Sequence, residues 1–392
     1  MKKFIKILGL LVVVHGMSGC ENDATDVHAS AAETKVSAVL WGEANNQPVY
    51  LYTLTNNAGM QVKVSNWGAY VQSILVADKL GKIEDVLVGY NSWQEYYNDC
   101  CYSGPVVGRF GNRIAGAQFE IDGQVYQVTK NDGGPNKDIN QLHGGKLGLH
   151  KRLWQSKIIS NGVELSYLSV DGEEGYPGNL NIKVRYTLNQ QNEFAVAYAA
   201  TTDKTTPVNL TLHTYFNLSG DRKRSIEGHE LMIAANKITP VDDLLIPTGA
   251  LQDVANTPFD FTQAKLVAKD IRVSDPQLLK GGGMDTEFGG FDHNWVFSDY
   301  DGSLKNQVSL YDPQSGRLLE ILTQEPAIQF YSGNFMDGSV SGKNAKPILH
   351  REGLALEPQH FPDSPNQPQF PSTLLKPGDT YQTQSVYRFS VK

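Results

Sequence analysis

Five short stretches of this 392-residue chain carry more polar and aromatic groups than ordinary strands and turns need. They are Gly108-Arg109-Phe110-Gly111-Asn112-Arg113-Ile114, Asn140-Gln141-Leu142-His143-Gly144-Gly145, Asn209-Leu210-Thr211-Leu212-His213-Thr214-Tyr215-Phe216-Asn217-Leu218 and Gly290-Phe291-Asp292-His293-Asn294. The fifth pairs Gln329-Phe330-Tyr331-Ser332-Gly333-Asn334 with Leu356-Glu357-Pro358-Gln359-His360-Phe361-Pro362-Asp363. A histidine and a glutamate such as His213 and Glu357 supply a general acid and a general base, and histidine needs little adjustment, with an ordinary pKa of ~6.5. Two other chemistries use the same residues. Asp292 and Glu357 as a carboxylate pair would suit glycoside hydrolysis. His143, His213, Asp292 and Glu357 would offer four ligands to a metal ion, though no closely spaced ligand pair anchors such a site. Taken singly, each group also has an ordinary structural role: a histidine satisfying a strand, a glutamate on a solvated edge, arginines of a tight turn facing water.

The elements that must hold these groups read as β-strands. Leu180, Ile182, Val184, Tyr186 and Leu188 alternate with polar residues, and so do Phe194, Val196, Tyr198 and Ala200 after the turn Asn189-Gln190-Gln191-Asn192. Phe119 and Ile121 lead into Asp122-Gly123, a two-residue hairpin turn, with Val125 beyond it. Tyr387, Phe389 and Val391 form the apolar face of a closing strand. Helical signals are few; Ser92-Trp93-Gln94-Glu95 has capping-box spacing. The pattern predicts an all-β chain, a large antiparallel sandwich or barrel. If residues 210–216 are extended, Leu210 and Leu212 point one way, and Thr211, His213 and Tyr215 the other. Pro358 holds Glu357 out of the helical region, which sets its carboxylate opposite the apolar Leu356.

In order and spacing the five stretches resemble those of the aldose 1-epimerase (galactose mutarotase) family. The resemblance runs from about Val39 to Val391 and includes Asp171-Gly172-Glu173-Glu174-Gly175-Tyr176-Pro177-Gly178 and Pro247-Thr248-Gly249. It implies a large antiparallel β-sandwich and a reaction that interconverts the α and β anomers of a free aldose such as glucose or galactose. His213 would protonate the ring oxygen and Glu357 would take the proton of the anomeric hydroxyl. Asn112, Arg113 and His143 would line the pocket and position the ring-oxygen side, and Asp292 and Gln329 would bind other hydroxyls. Arg109 matches no catalytic position. Ring opening would otherwise leave an alkoxide and a protonated carbonyl; an acid and a base acting together avoid both, contributing ~10²–10⁴-fold. The roles reverse on closure, so both groups should titrate near the working pH. No metal, nucleotide or covalent intermediate is required. One departure is Leu212, where the family commonly has a small or polar residue; by alternation it points away from the ligand.

The rest of the chain sets the context. A formal charge of −8 and the lack of a Lys/Arg cluster argue against nucleic acid as a partner. Lys2, Lys3 and the apolar run Ile5 to Val14 read as a secretory signal over residues 1–19, too short to span a bilayer as a helix. Met17-Ser18-Gly19-Cys20 resembles a lipobox, so Cys20 is expected to carry a lipid that is the only membrane contact. Residues 20–37 would be a tether and 38–392 the sandwich domain, held at the cell envelope and facing the periplasm. A non-catalytic sugar-binding lipoprotein is the alternative from another class, and action on phosphorylated sugars would call for extra cations in the pocket. The remaining cysteines, Cys100 and Cys101, are neighbours, which disfavours a bridge between them, and no further Cys or His nearby makes a metal motif.

Overall fold

The computed structural model describes residues 33–133 and 138–392. The expected signal segment and Cys20 lie outside the described residues. The first strand, Lys35–Ala44, begins inside the stretch expected to be a tether, so the folded body starts a few residues before Ala38.

Two large antiparallel sheets face one another. The larger has nine strands and contains Leu180–Leu188 and Glu193–Thr202, paired residue for residue from Leu180↔Thr202 to Leu188↔Phe194. Their alternation holds: every second residue, from Leu180 to Leu188 and from Phe194 to Ala200, is buried. The closing strand, Tyr381–Val391, buries Tyr387 and Phe389 but leaves Val391 more than half exposed. The second sheet has seven strands, among them Asp292–Phe297, Ala327–Tyr331, Leu354–Gln359, Tyr215–Phe216 and Leu87–Val88, in that spatial order. Its inward residues Trp295, Ile328, Phe330, Leu354, Leu356 and Phe216 share one hydrophobic core with the inward row of the nine-stranded sheet. Burying side chains of this size contributes ~1.5–3 kcal/mol each, so this core fixes the register of the sheet that carries the site.

The outward face of the seven-stranded sheet holds the opposite alternation: Asp292, Asn294, Gln329, Tyr331, Glu357 and Tyr215. A second, smaller apolar cluster covers part of that face, bringing Val88, Tyr90, Trp93 and Ile348 against Tyr215 and Ala355. The helix Trp93–Tyr97 belongs to this cover and starts with the expected capping box, in which Ser92 and Glu95 satisfy each other's backbone N–H groups. The hairpin of Gln118–Ile121 and Gln124–Gln127 turns through Asp122 (φ 52°) and Gly123 (φ 80°), both left-handed as the tight hairpin turn requires.

Candidate active site

Residues 210–216 are not one strand; they contain two short ones. Thr211–Leu212 pairs with Val106–Val107, and Tyr215–Phe216 pairs with Leu354 and Ala355. The segment thus crosses from Val106–Val107, just before the glycine-arginine stretch, to the strand that carries Glu357, and the expected facing of Leu210, Leu212, His213 and Tyr215 survives the break. Leu210 and Leu212 enter the main core, while His213 and Tyr215 turn to the outward face. Tyr215 is registered with Ala355; two residues further in opposite directions along this antiparallel pair come His213 and Glu357, on the same face. Nε2 of His213 stands 3.6 Å from Oε1 of Glu357, and both side chains are buried. That distance is too long for a direct hydrogen bond.

The ring orientation of His213 is set by the loop before the glycine-arginine stretch. Nδ1 lies 3.0 Å from the Tyr102 carbonyl oxygen, which can only accept, so Nδ1 carries a proton. Nε2 is left to exchange a proton with whatever occupies the cavity. His143 has the other tautomer: its Nδ1 accepts the Asn112 backbone N–H at 3.1 Å, so the proton sits on Nε2. The His143 backbone N–H in turn donates to the Asn112 carbonyl at 3.1 Å. Both residues are left-handed, Asn112 at φ 65° and His143 at φ 52°. Each such residue costs about 1–3 kcal/mol, and the reciprocal hydrogen bonds hold the pair in place. Gly144 follows at φ 82°, with its α-carbon against the Gly108 carbonyl, where a Cβ would collide. The two imidazole rings meet edge to face at 4.8 Å.

A cavity of about 360 Å³ opens over these groups and is lined by Asn112, Arg113, His143, His213, Asp292 and Glu357 among others. Six of the seven pocket residues expected from the sequence therefore share one cavity. Gln329 does not line it. It lies between Asn294 and Glu357 in the sheet register, and its Nε2 donates to Asp292 Oδ1 at 2.7 Å. Gln329 is buried, and through that hydrogen bond it orients Asp292. Arg113 donates from Nε to Asp132 at 3.1 Å and faces the cavity, so it is not an arginine of a solvated turn. Arg109 is not either: it is buried and donates to Ser169, Val170, Pro177 and Thr206.

Tyr331, within the fifth polar stretch, also lines the cavity, and so do Tyr102, Cys101 and Phe335, which sequence reasoning did not place there. Tyr102 packs against His143 at 4.7 Å and His213 at 5.8 Å. Nothing in its local pattern marks it, because it follows the two cysteines in an irregular loop.

Burial governs the electrostatics. Desolvation brings His213 down to about 4, against the opposing pull of its backbone hydrogen bonds. Its sequence alone suggested titration near 6.5. Burial also pushes Glu357 well above the usual carboxylate range, helped by the Asp292 charge and opposed by Arg113. Burial raises Asp292 and lowers His143 well below an ordinary histidine. Both shifts favour the uncharged forms of the pair, a neutral His213 and a protonated Glu357.

His143, His213 and Glu357 can bring one donor atom each within 4.8 Å of one another. Asp292, the fourth ligand the sequence offered, is outside that group and is held by Gln329. Two members of this group, His213 through Nε2 and Glu357 through Oε1, also form the pair that can exchange a proton.

The profile described as aldose 1-epimerase matches residues 50–388 of the chain. The chain is 40% identical over 332 residues to the galactose mutarotase of Rattus norvegicus, an alignment covering 85% of this chain and 92% of that protein. It is 36% identical over 350 residues to the aldose 1-epimerase of Shigella flexneri, covering 88% of this chain and 96% of that protein. The crystal structure of galactose 1-epimerase from Lactobacillus acidophilus NCFM superposes with a TM-score of 0.77 at 27% identity, over 91% of this chain and 99% of that one.

Proposed function

The chain belongs to the aldose 1-epimerase family and is an isomerase that interconverts the α and β anomers of free aldoses, and from that premise we propose that His213 and Glu357 perform the proton transfers. The observation that carries this reading is the placement of Nε2 and Oε1 3.6 Å apart at the base of one sugar-sized cavity. Ring opening uses the ionised tautomer: protonated His213 gives its Nε2 proton to the ring oxygen as ionised Glu357 takes the anomeric hydroxyl proton. The pair is then neutral, with the proton on Glu357. Rotation about the first carbon–carbon bond turns the aldehyde over, and closure uses this neutral form in reverse. Glu357 returns a proton to the carbonyl oxygen and His213 removes one from the attacking hydroxyl.

The pair has the same total charge in both tautomers, so a full cycle needs no proton from solvent. This suits a site where two net charges would be costly to bury. The Tyr102 carbonyl, accepting from Nδ1–H, stabilises the imidazolium when it forms. His143 offers an Nε2–H donor, and Asp292, oriented by Gln329, accepts from hydroxyls away from the anomeric carbon. Arg113, facing the cavity beside Asp292, donates to the same region. Free aldoses such as galactose and glucose are the substrates of this reading.

Optical rotation of freshly dissolved α-galactose and α-glucose, followed with purified protein, tests the activity. The rate should rise in proportion to protein. Relaxation at the buffer rate across a panel of aldoses would falsify it. Export and lipidation at Cys20 complete the proposal, supported by the basic start, apolar run and lipobox-like Met17-Ser18-Gly19-Cys20. Labelled palmitate should enter the intact protein and not a Cys20→Ala variant; equal labelling would count against the anchor.

A further inference from the structure

The two cysteines that the sequence left without a role stand at the mouth of the sugar cavity. Both are free, Cys100 exposed and Cys101 partly buried among the lining residues. They are anchored by Asp99, whose two carboxylate oxygens accept from the Tyr70 and Tyr90 hydroxyls, the Cys101 and Ser103 backbone N–H groups and the Ser103 hydroxyl. The sulfur atoms and that carboxylate lie within 4.8 Å of one another. Asp99 is already saturated by five donors, which disfavours it as a ligand for an ion and leaves the dithiol as the reactive feature.

The peptide groups beside the sulfurs hold the active site. The Cys101 carbonyl accepts the Tyr215 hydroxyl at 3.2 Å, and the next carbonyl, that of Tyr102, accepts from His213 Nδ1 at 3.0 Å. Tyr102 itself is left-handed at φ 54°, held only by its surroundings. A direct disulfide between neighbours strains this segment, since adjacent α-carbons are ~3.8 Å apart and a relaxed disulfide spans ~4.4–6.8 Å. The strain falls on the Cys100–Cys101 peptide inside the closed ring, so twisting it pulls the Cys101 N–H from Asp99 and turns the chain that leads directly into the Cys101 and Tyr102 carbonyls.

We propose that Cys100 and Cys101 form a reversible thiol–disulfide modification site whose closure displaces the Tyr102 carbonyl and so takes His213 out of its working orientation. The reaction partner is a small organic disulfide. The Cys100 thiolate attacks one sulfur of RSSR, forming a mixed disulfide and releasing one RS⁻, which takes up a proton. The Cys101 sulfur, its proton passing to solvent, then displaces the second RS⁻. Two cysteine thiols are oxidised and RSSR is reduced to two RSH. Cys100 is suited to the first attack: it is the more exposed of the two, and its interaction with the Cys101 thiol lowers its pKa from the ordinary thiol value. Ring strain makes the product easily reduced, as a regulatory rather than a structural disulfide would be.

The consequence for rate rests on the acid/base reading of His213, which is judged separately on the reduced protein through His213→Asn. The redox test equilibrates the full chain with glutathione disulfide and then reads two quantities. One is the mass of the proteolytic fragment carrying Cys100 and Cys101, which separates this pair from Cys20. The other is kcat for α-galactose, relative to the same protein after dithiothreitol. Wild type should yield a fragment lighter by two hydrogens, with kcat down about 10²-fold, as misplacement of a catalytic group by ~1 Å produces, and restored on reduction. Cys100→Ala should show neither change relative to its own reduced form. A closed fragment with unchanged kcat overturns the proposal. So does an equal loss in Cys100→Ala, accumulation of a glutathione adduct alone, or no oxidation at all.

Discussion

His213 faces Glu357 because the register Tyr215↔Ala355, carried two residues further, places them opposite each other with 3.6 Å between Nε2 and Oε1. The acid and the base come from segments more than a hundred residues apart, yet a single cross-strand register sets their separation. In the proposed mechanism the two share one proton, and the chemistry follows from which partner holds it.

The pH dependence follows from that sharing. The active pair carries one proton in total. As pH falls through about 4, His213 gains a second proton for the pair and no base remains. As pH rises through the elevated value of Glu357, the pair loses its only proton and no acid remains. The kcat/KM profile for α-galactose should therefore be a broad bell with its acid limb near 4, read as a property of the pair. An acid limb at ~6.5, the value of an unperturbed histidine, would show that His213 is not desolvated as described.

Gln329 acts through Asp292. Gln329→Leu should leave the Asp292 carboxylate without its 2.7 Å donor and raise KM by about tenfold, the cost of one hydrogen bond to a charged group, with a smaller change in kcat. Steady-state kinetics on two sugars checks this. A kcat loss as large as that of the Glu357 variant would instead place Gln329 at the reacting atoms.

Arg109 is buried and donates to backbone carbonyls and hydroxyls of 169–206 rather than to ligand. Arg109→Met should lower unfolding free energy in urea by roughly 3 kcal/mol or more, since several buried acceptors lose their donor at ~1–3 kcal/mol each. Activity per folded molecule should fall far less than on loss of His213. A variant as stable as wild type but inactive would move Arg109 into the site.

Metal removal separates the two uses of His143, His213 and Glu357. Exhaustive dialysis against a strong chelator should leave the mutarotation rate unchanged, because proton exchange alone performs the reaction. A rate that falls and returns with one added divalent ion would favour coordination by the three donor atoms.

Strand periodicity made the sandwich legible: the alternations from Leu180 to Leu188 and from Phe194 to Ala200 are local and survive intact. The facing of His213 was legible for the same reason, although Thr211–Leu212 and Tyr215–Phe216 turned out to pair with different partners. What local pattern does not encode is depth. Gln329 and Asp292 sit on one face, but only the structure shows that Asp292 lines the cavity while Gln329 bonds to it from the side. Tyr102 and Cys101 were invisible because an irregular loop, pinned by Asp99, carries them to the cavity. The downward shift of His213 was equally out of reach, being a consequence of burial and not of neighbours in sequence.

The most direct test is kcat for mutarotation of α-galactose by wild type, Glu357→Gln and His213→Asn, each confirmed folded by circular dichroism. The account predicts that either substitution lowers kcat by about 10²–10⁴-fold, since the surviving partner has nothing with which to exchange its proton. Either variant retaining wild-type kcat would contradict the shared-proton pair.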